Sequence, residues 1–94
     1  MTKVMCKIDE KKHSIFFDCM NHAGFKDVCI MCSTLCKVLL EAVNKISAGN
    51  VRIDDGHVRI EVEYADDATM EIFSSVMEVF KDVATEFPEF CKLY

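Results

Sequence analysis

Apolar positions change period several times along the chain, and each change marks a new element. Lys3 to Ile8 alternates, with Val4, Cys6 and Ile8 on one face, and His13 to Met20 is rich in Ile and Phe. The polar run Asp9 to Lys12 between them reads as the turn of a hairpin. From Val28 to Ser47 the spacing becomes helical, for about five and a half turns at 3.6 residues each. Asp27 is the expected N-cap and Gly49 the expected stop. Val51 to Ile53 and Val58 to Tyr64 flank Asp54-Asp55-Gly56, a hairpin signal because Asp-Gly tolerates positive φ. In the second of these strands Val58, Ile60, Val62 and Tyr64 point one way, and Arg59, Glu61 and Glu63 face water on the other. A last helix is expected from about Asp67 to Phe87, with Ile72, Phe73, Val76, Met77, Phe80, Val83 and Ala84 as its core stripe. Its N-cap is Asp66 or Asp67, Pro88 follows its end, and Glu89 to Tyr94 suits a short terminal strand.

The order is therefore ββαββα: an α+β two-layer sandwich, a mainly antiparallel sheet with both helices on one face. Residues 1–94 make one domain, with chain enough for a single core. In the first helix Lys37, Glu41, Asn44 and Lys45 form one narrow polar stripe. A helix so apolar needs cover on more than one side, from the sheet and from a neighbouring helix or a second subunit, which makes a homodimer the expected assembly.

Charge narrows the partners. Residues 1–50 carry seven Lys against five acids, and residues 51–94 carry four Lys or Arg against eleven acids, which gives +2 and −7. An acidic half without a clustered basic face argues against nucleic-acid binding. The face of Arg59, Glu61 and Glu63 is expected to be solvated, or to attract a Lys/Arg-rich peptide. The longest uncharged run, Val28 to Cys36, has nine residues, where a membrane span needs roughly 20. Asp9, Glu10, Lys11 and Lys12 fall too early for a signal peptide. The expected location is the cytoplasm, and the six cysteines are expected to be reduced there. Cys6, Cys19, Cys36 and Cys91 then act as small buried hydrophobes.

Candidate chemistry lies in Asn21-His22-Ala23-Gly24-Phe25-Lys26-Asp27-Val28-Cys29, where a loop histidine precedes by seven residues a cysteine that opens a helix. The first N–H groups of a helix lack intrahelical partners and carry the positive end of its dipole. That environment, with an imidazole beside it, favours the thiolate, which is the attacking species. His22 can hold the proton and return it to a leaving amine. Ser33, one turn beyond Cys29, can bond the thiol or a backbone carbonyl. Two other readings use the same residues. Cys29-Ile30-Met31-Cys32 has the C-x-x-C spacing of a redox site, though without the βαβ unit that such motifs follow. Cys29, Cys32 and Cys36 share a helical face with His22 nearby, but side chains on one helix diverge rather than converge on a metal. Neither cofactor nor metal is expected, and His13, at a strand start, and His57, at a turn end, are expected to be solvated.

The two N-terminal strands, the His22-Ala23 dipeptide, Cys29 opening the first helix and Ser33 four residues later resemble the bacterial ribosomal-processing cysteine protease Prp family. The element order and the Phe87-Pro88-Glu89-Phe90 tail extend the likeness over nearly the whole chain. The resemblance implies a homodimeric cytoplasmic endopeptidase that removes a short N-terminal extension from large ribosomal subunit protein twenty-seven. By match to the motif His22 is the general base, Cys29 the nucleophile and Ser33 a helper. The chain departs from the family in three ways. Asn21 stands where Gly usually precedes the histidine, Lys26 stands where Asp usually lies three residues before the cysteine with Asp27 one place later, and the His-to-Cys loop is shorter. Backbone N–H groups near Cys29 are the expected oxyanion site. The rival from another class is a decayed, ribosome-associated binding module, which the Asn21 departure suggests.

Overall fold

The computed structural model describes residues 1–46 and 49–94. Strands β1 (Thr2–Asp9), β2 (Ser14–Met20), β3 (Asn50–Asp54), β4 (His57–Val62) and β5 (Cys91–Leu93) form one sheet in the order β3-β4-β2-β1-β5. Helix α1 (Lys26–Lys45) lies between β2 and β3, and α2 (Asp67–Glu86) between β4 and β5. All pairings are antiparallel except β1 with β5. This is the expected α+β sandwich. Its central seam, however, joins β2 to β4, strands separated in sequence by the whole of α1.

Val4, Ile15, Phe17, Cys19, Ile60 and Val62 form the buried face of the sheet, and α1 and α2 cover it. From α1 come Val28, Cys32, Cys36, Leu39 and Val43, and from α2 Phe73, Val76, Phe80 and Val83, both sets at helical spacing. Phe17 is the hub: its ring meets Phe73 edge-on at 6.3 Å and Phe80 at 5.9 Å, within the 4.5–7 Å range where aromatic pairs attract. The apolar excess of α1 is covered by sheet and by α2, but Ile30 and Val38 remain 55% and 45% exposed.

Several boundaries differ from expectation. α1 starts at Lys26, not Val28, and Asp27 is in its first turn rather than at the cap. The N-cap is Phe25, which makes no side-chain cap bond. Its ring instead packs on Phe87 at 6.1 Å and Phe90 at 5.2 Å. Aromatic packing thus sets the entry of the chain, and the Asp27 carboxylate keeps only its favourable place in the dipole. The expected α1 end at Ser47 lies outside the described residues. At α2 the cap is Asp66, whose side chain accepts the Thr69 N–H at 2.8 Å. His13 stands before β2 at φ 54, and its carbonyl accepts the Ala65 N–H. β4 ends at Val62, so Tyr64, expected on the apolar face, lies beyond the strand and is 83% exposed.

Truncating the hub, Phe17→Ala, should cost about 3–5 kcal/mol, and Asp66→Ala about 1 kcal/mol through its lost cap. Denaturant melts of the two variants check both values and, more firmly, their order.

Candidate functional site

β2 ends at Met20, and the next residue, Asn21, turns the chain at φ 71. Asn tolerates this region better than most residues, so the position accepts the residue found there. Two bonds fix the turn: the Asn21 N–H donates to the Gly56 carbonyl at 2.7 Å, and the Asn21 carbonyl accepts the Thr2 hydroxyl at 2.9 Å. The next residue, His22, is thereby laid against the β3–β4 hairpin. Its Nε2 is 3.5 Å from Oδ1 of Asp55. Gly56, at φ 71, has no side chain to block the ring; a Cβ there would lie 3.2 Å from Nε2.

Across the loop, Cys29 is the fourth residue of α1 rather than its second. Its own N–H is bonded to the Phe25 carbonyl at 3.0 Å. The N–H groups free of intrahelical partners are therefore those of Lys26, Asp27 and Val28, and none of these three residues lines the cleft that holds Cys29. The sulfur is half-buried, and Sγ accepts the Ala23 N–H at 3.3 Å.

His22, Cys29, Asn21 and Ser33 line one cleft of 360 Å³ between the start of α1 and the β3–β4 hairpin. Among the described residues no hydrogen bond joins His22 to Cys29, or Ser33 to either, and Asp27 stands exposed outside the cleft. Asp55, next to His22, is marked in the sequence only as a turn residue. Asp54-Asp55-Gly56 signalled a hairpin, but only the β2–β4 pairing shows what its tip lies beside.

His57 corrects the expectation of a solvated side chain. It is hydrogen-bonded to Asp18, whose side chain is only 8% exposed. Arg59, expected in water, turns the same way: its Nε lies 3.6 Å from Asp18 Oδ1, and its guanidinium sits 5.4 Å from the Phe16 ring centre. The register explains this, because Asp18 is opposite Arg59 and two residues, on the same face, from His57's partner Met20. Strand alternation alone cannot reveal a partner on a distant strand.

All six cysteines are free, and four form a buried group. The Cys19 thiol is pushed far up by its hydrogen bond with Cys36 and then by burial. Burial, followed by the nearby thiols of Cys91 and Cys19, raises Cys32 to about 12. Burial also raises Cys91, and it lifts the half-buried Cys6 to about 11. The second thiol of the C-x-x-C is thus a core residue and not a partner open to exchange. Among the described residues no group of three or more His, Cys, Asp or Glu side chains is placed to hold a metal ion, and no helix is long and apolar enough to cross a membrane.

Sheet, helices and cleft define a small α+β sandwich with a thiol and an imidazole at one end. No protein-family model matches the chain, and no curated protein sequence does. Solved structures do. The essential ribosomal processing protease Prp from S. aureus, holding a covalently linked product peptide, is similar at a TM-score of 0.83 with 19% identity over 99% of this chain and 97% of that one. The same protease with a substrate peptide gives 0.81, 17% identity and coverage of 100% and 98%. A Streptococcus mutans protein gives 0.73 and 18% identity, covering 99% and 91%. At these identities the shared property is the fold.

Raised thiols stay protonated, and so unreactive, until pH approaches their own values. Iodoacetamide at pH 7.5 should therefore modify Cys29 first, with Cys6 and Cys32 spared until the solution is strongly alkaline. Peptide mapping by mass spectrometry after timed quenching reads the order directly.

Proposed function

We propose that the protein is a cysteine endopeptidase of the Prp kind, with Cys29 as nucleophile and His22 as general base and acid. The observation that carries this reading is the meeting of both side chains in one cleft at the start of α1, with a backbone N–H already donated to the sulfur. The peptides bound in the two similar S. aureus structures support a peptide substrate.

In this mechanism the Cys29 sulfur attacks the scissile carbonyl carbon as its proton passes to His22. The carbonyl oxygen becomes an oxyanion, met by backbone N–H groups at the start of α1. Collapse breaks the C–N bond, His22 gives its proton to the departing amine, and a thioester to Cys29 remains. Water, deprotonated by His22, then attacks the thioester, releasing the acid product and the thiol. Asp55 orients the imidazole from the hairpin tip, as the third group does in Cys/His pairs of this type. Its full exposure limits that contribution. Ser33 lies one turn along the cleft wall, where it meets substrate rather than the thiol.

The substrate that fits the family likeness is the N-terminal extension of large ribosomal subunit protein twenty-seven, cut in the cytoplasm. That Asn21 adopts a positive φ supports the active reading over the decayed module. The redox alternative loses its resolving thiol, since Cys32 is buried.

Cys29→Ala should abolish cleavage of a peptide copying that extension, and His22→Ala should lower kcat by about 10²–10⁴-fold. Asp55→Asn should reduce it by less than about tenfold, as suits an exposed partner. An active wild type matched by an equally active His22→Ala protein would remove the dyad. Assembly is read as a homodimer through the exposed α1 residues Ile30 and Val38. Light scattering at micromolar concentration should give twice the chain mass, and a monomer mass would strike out that part of the reading.

A further inference from the structure

The two edges of the sheet differ. β5 is three residues long, whereas β3 offers five, every one exposed, and forms the outermost strand on its side. Edge strands are usually blunted by charge, Pro or a covering element. Here Val51 and Ile53 are apolar and 38% and 60% exposed.

A trough of 450 Å³ runs between β3 and α1, with Leu40, Val51 and Ile53 in its walls and Lys37 and Glu41 on its rim. Lys37, Leu40 and Ile53 also line the cleft of Cys29 and His22, so the two concavities are continuous. Backbone direction can be read from the register. Asp54 pairs with His57 across the two-residue Asp55-Gly56 turn, so that pair exchanges hydrogen bonds inward. Alternation along the antiparallel ladder then turns the N–H and C=O groups of Ile53 and Val51 outward, to the open edge. These two residues are opposite Val58 and Ile60, so their side chains share the helix side of the sheet, above the trough.

We propose that β3 is the substrate-binding edge: an extended peptide adds as a sixth strand, bonded through its backbone to Val51 and Ile53. Two of its side chains, spaced two residues apart, drop into the trough over Leu40. The occupant is thus a peptide with apolar residues at alternate positions, and the strand leads it past the hairpin tip to His22 and Cys29. The proposal deepens the proteolytic reading and rests on it for the direction of cleavage. This is strand addition with alternate pockets, in which the main chain supplies affinity and the pockets select.

The test uses the full chain carrying Cys29→Ala and a fluorescein-labelled decapeptide with Leu or Phe at alternate positions. A twin peptide is N-methylated at the amides of those residues. By anisotropy the twin should bind at least about tenfold more weakly, because it has lost two backbone donors. Ile53→Lys should weaken the plain peptide by a similar factor with an unchanged melting curve, while Val79→Lys on the exposed side of α2 leaves binding intact. Equal binding of both peptides, no loss in Ile53→Lys, or no binding up to millimolar peptide overturns the proposal. So does sedimentation showing that Ile53→Lys splits a dimer, since the edge then belongs to a second copy. Cleavage by the wild type is scored separately. Binding along β3 without cleavage removes the protease reading alone, and cleavage of both peptides at equal KM removes the edge proposal alone.

Discussion

The site depends on the seam between β2 and β4. These strands are far apart in sequence, and their antiparallel register sets Met20 opposite His57, so the chain leaving β2 and the tip of the β3–β4 hairpin arrive at the same end of the sheet. The bond from Asn21 to Gly56 extends this ladder by one step beyond the strand. Without it, His22 would be a side chain on a free loop. With it, the imidazole is placed by the same hydrogen-bonded framework that orders the core face of Phe17 and Ile60. An exposed histidine on a loop of small residues is otherwise free to sample many rotamers, and order here is inherited from the sheet.

On the helix side the decisive constraint is aromatic. Phe25 occupies a position normally given to Ser, Thr, Asp or Asn, and its contacts with Phe87 and Phe90 tie the start of α1 to the segment after α2. That contact places the first turn of α1, and hence Cys29, relative to the hairpin across the cleft. The remaining thiols are sorted by burial. Cys19, Cys32, Cys36 and Cys91 fill the interface of sheet and helices, and only Cys29 of the α1 cysteines is less than fully buried. On the opposite sheet face Asp18 is the one buried acid among the described residues, held by His57 and leaned on by Arg59. A buried carboxylate with partners on one neighbouring strand fixes register as well as satisfying its charge.

Much of this was legible in the sequence because hydrophobic period is a local signal. The strands β1, β2 and β4, both helices, the Asp-Gly hairpin and the Asp66 cap each announce themselves within a few residues. The thiol and imidazole were legible too, from a helix start and a nearby loop histidine. What escaped depends on contacts between distant segments. Asp27 looked like a cap because nothing local reveals that Phe25 has two aromatic partners more than sixty positions away. His57 and Arg59 looked solvated because the acid that draws them in belongs to β2. Asp55 looked like mere turn chemistry, and β5 gave no sign that it would run parallel to β1. Local patterns name the parts, and non-consecutive strand pairing decides which of them meet.

Gly56 satisfies two demands that are usually separate. Its positive φ could be met by Asn or Asp, the ordinary stand-ins for glycine in left-handed turns. Its second duty is to be flat where the His22 ring rests, and any β-carbon would fall within 3.2 Å of Nε2. The ring is exposed and can swing aside, so a side chain here leaves the hairpin folded while moving the imidazole off its seat. Selection for a stable domain therefore restricts the position to residues that tolerate positive φ, and only the seat of the His22 ring narrows it further to glycine. Over evolutionary drift, Asn21 and Gly56 should behave differently although both sit at φ 71: the first can exchange with glycine freely, and the second records whether the cleft is still in use.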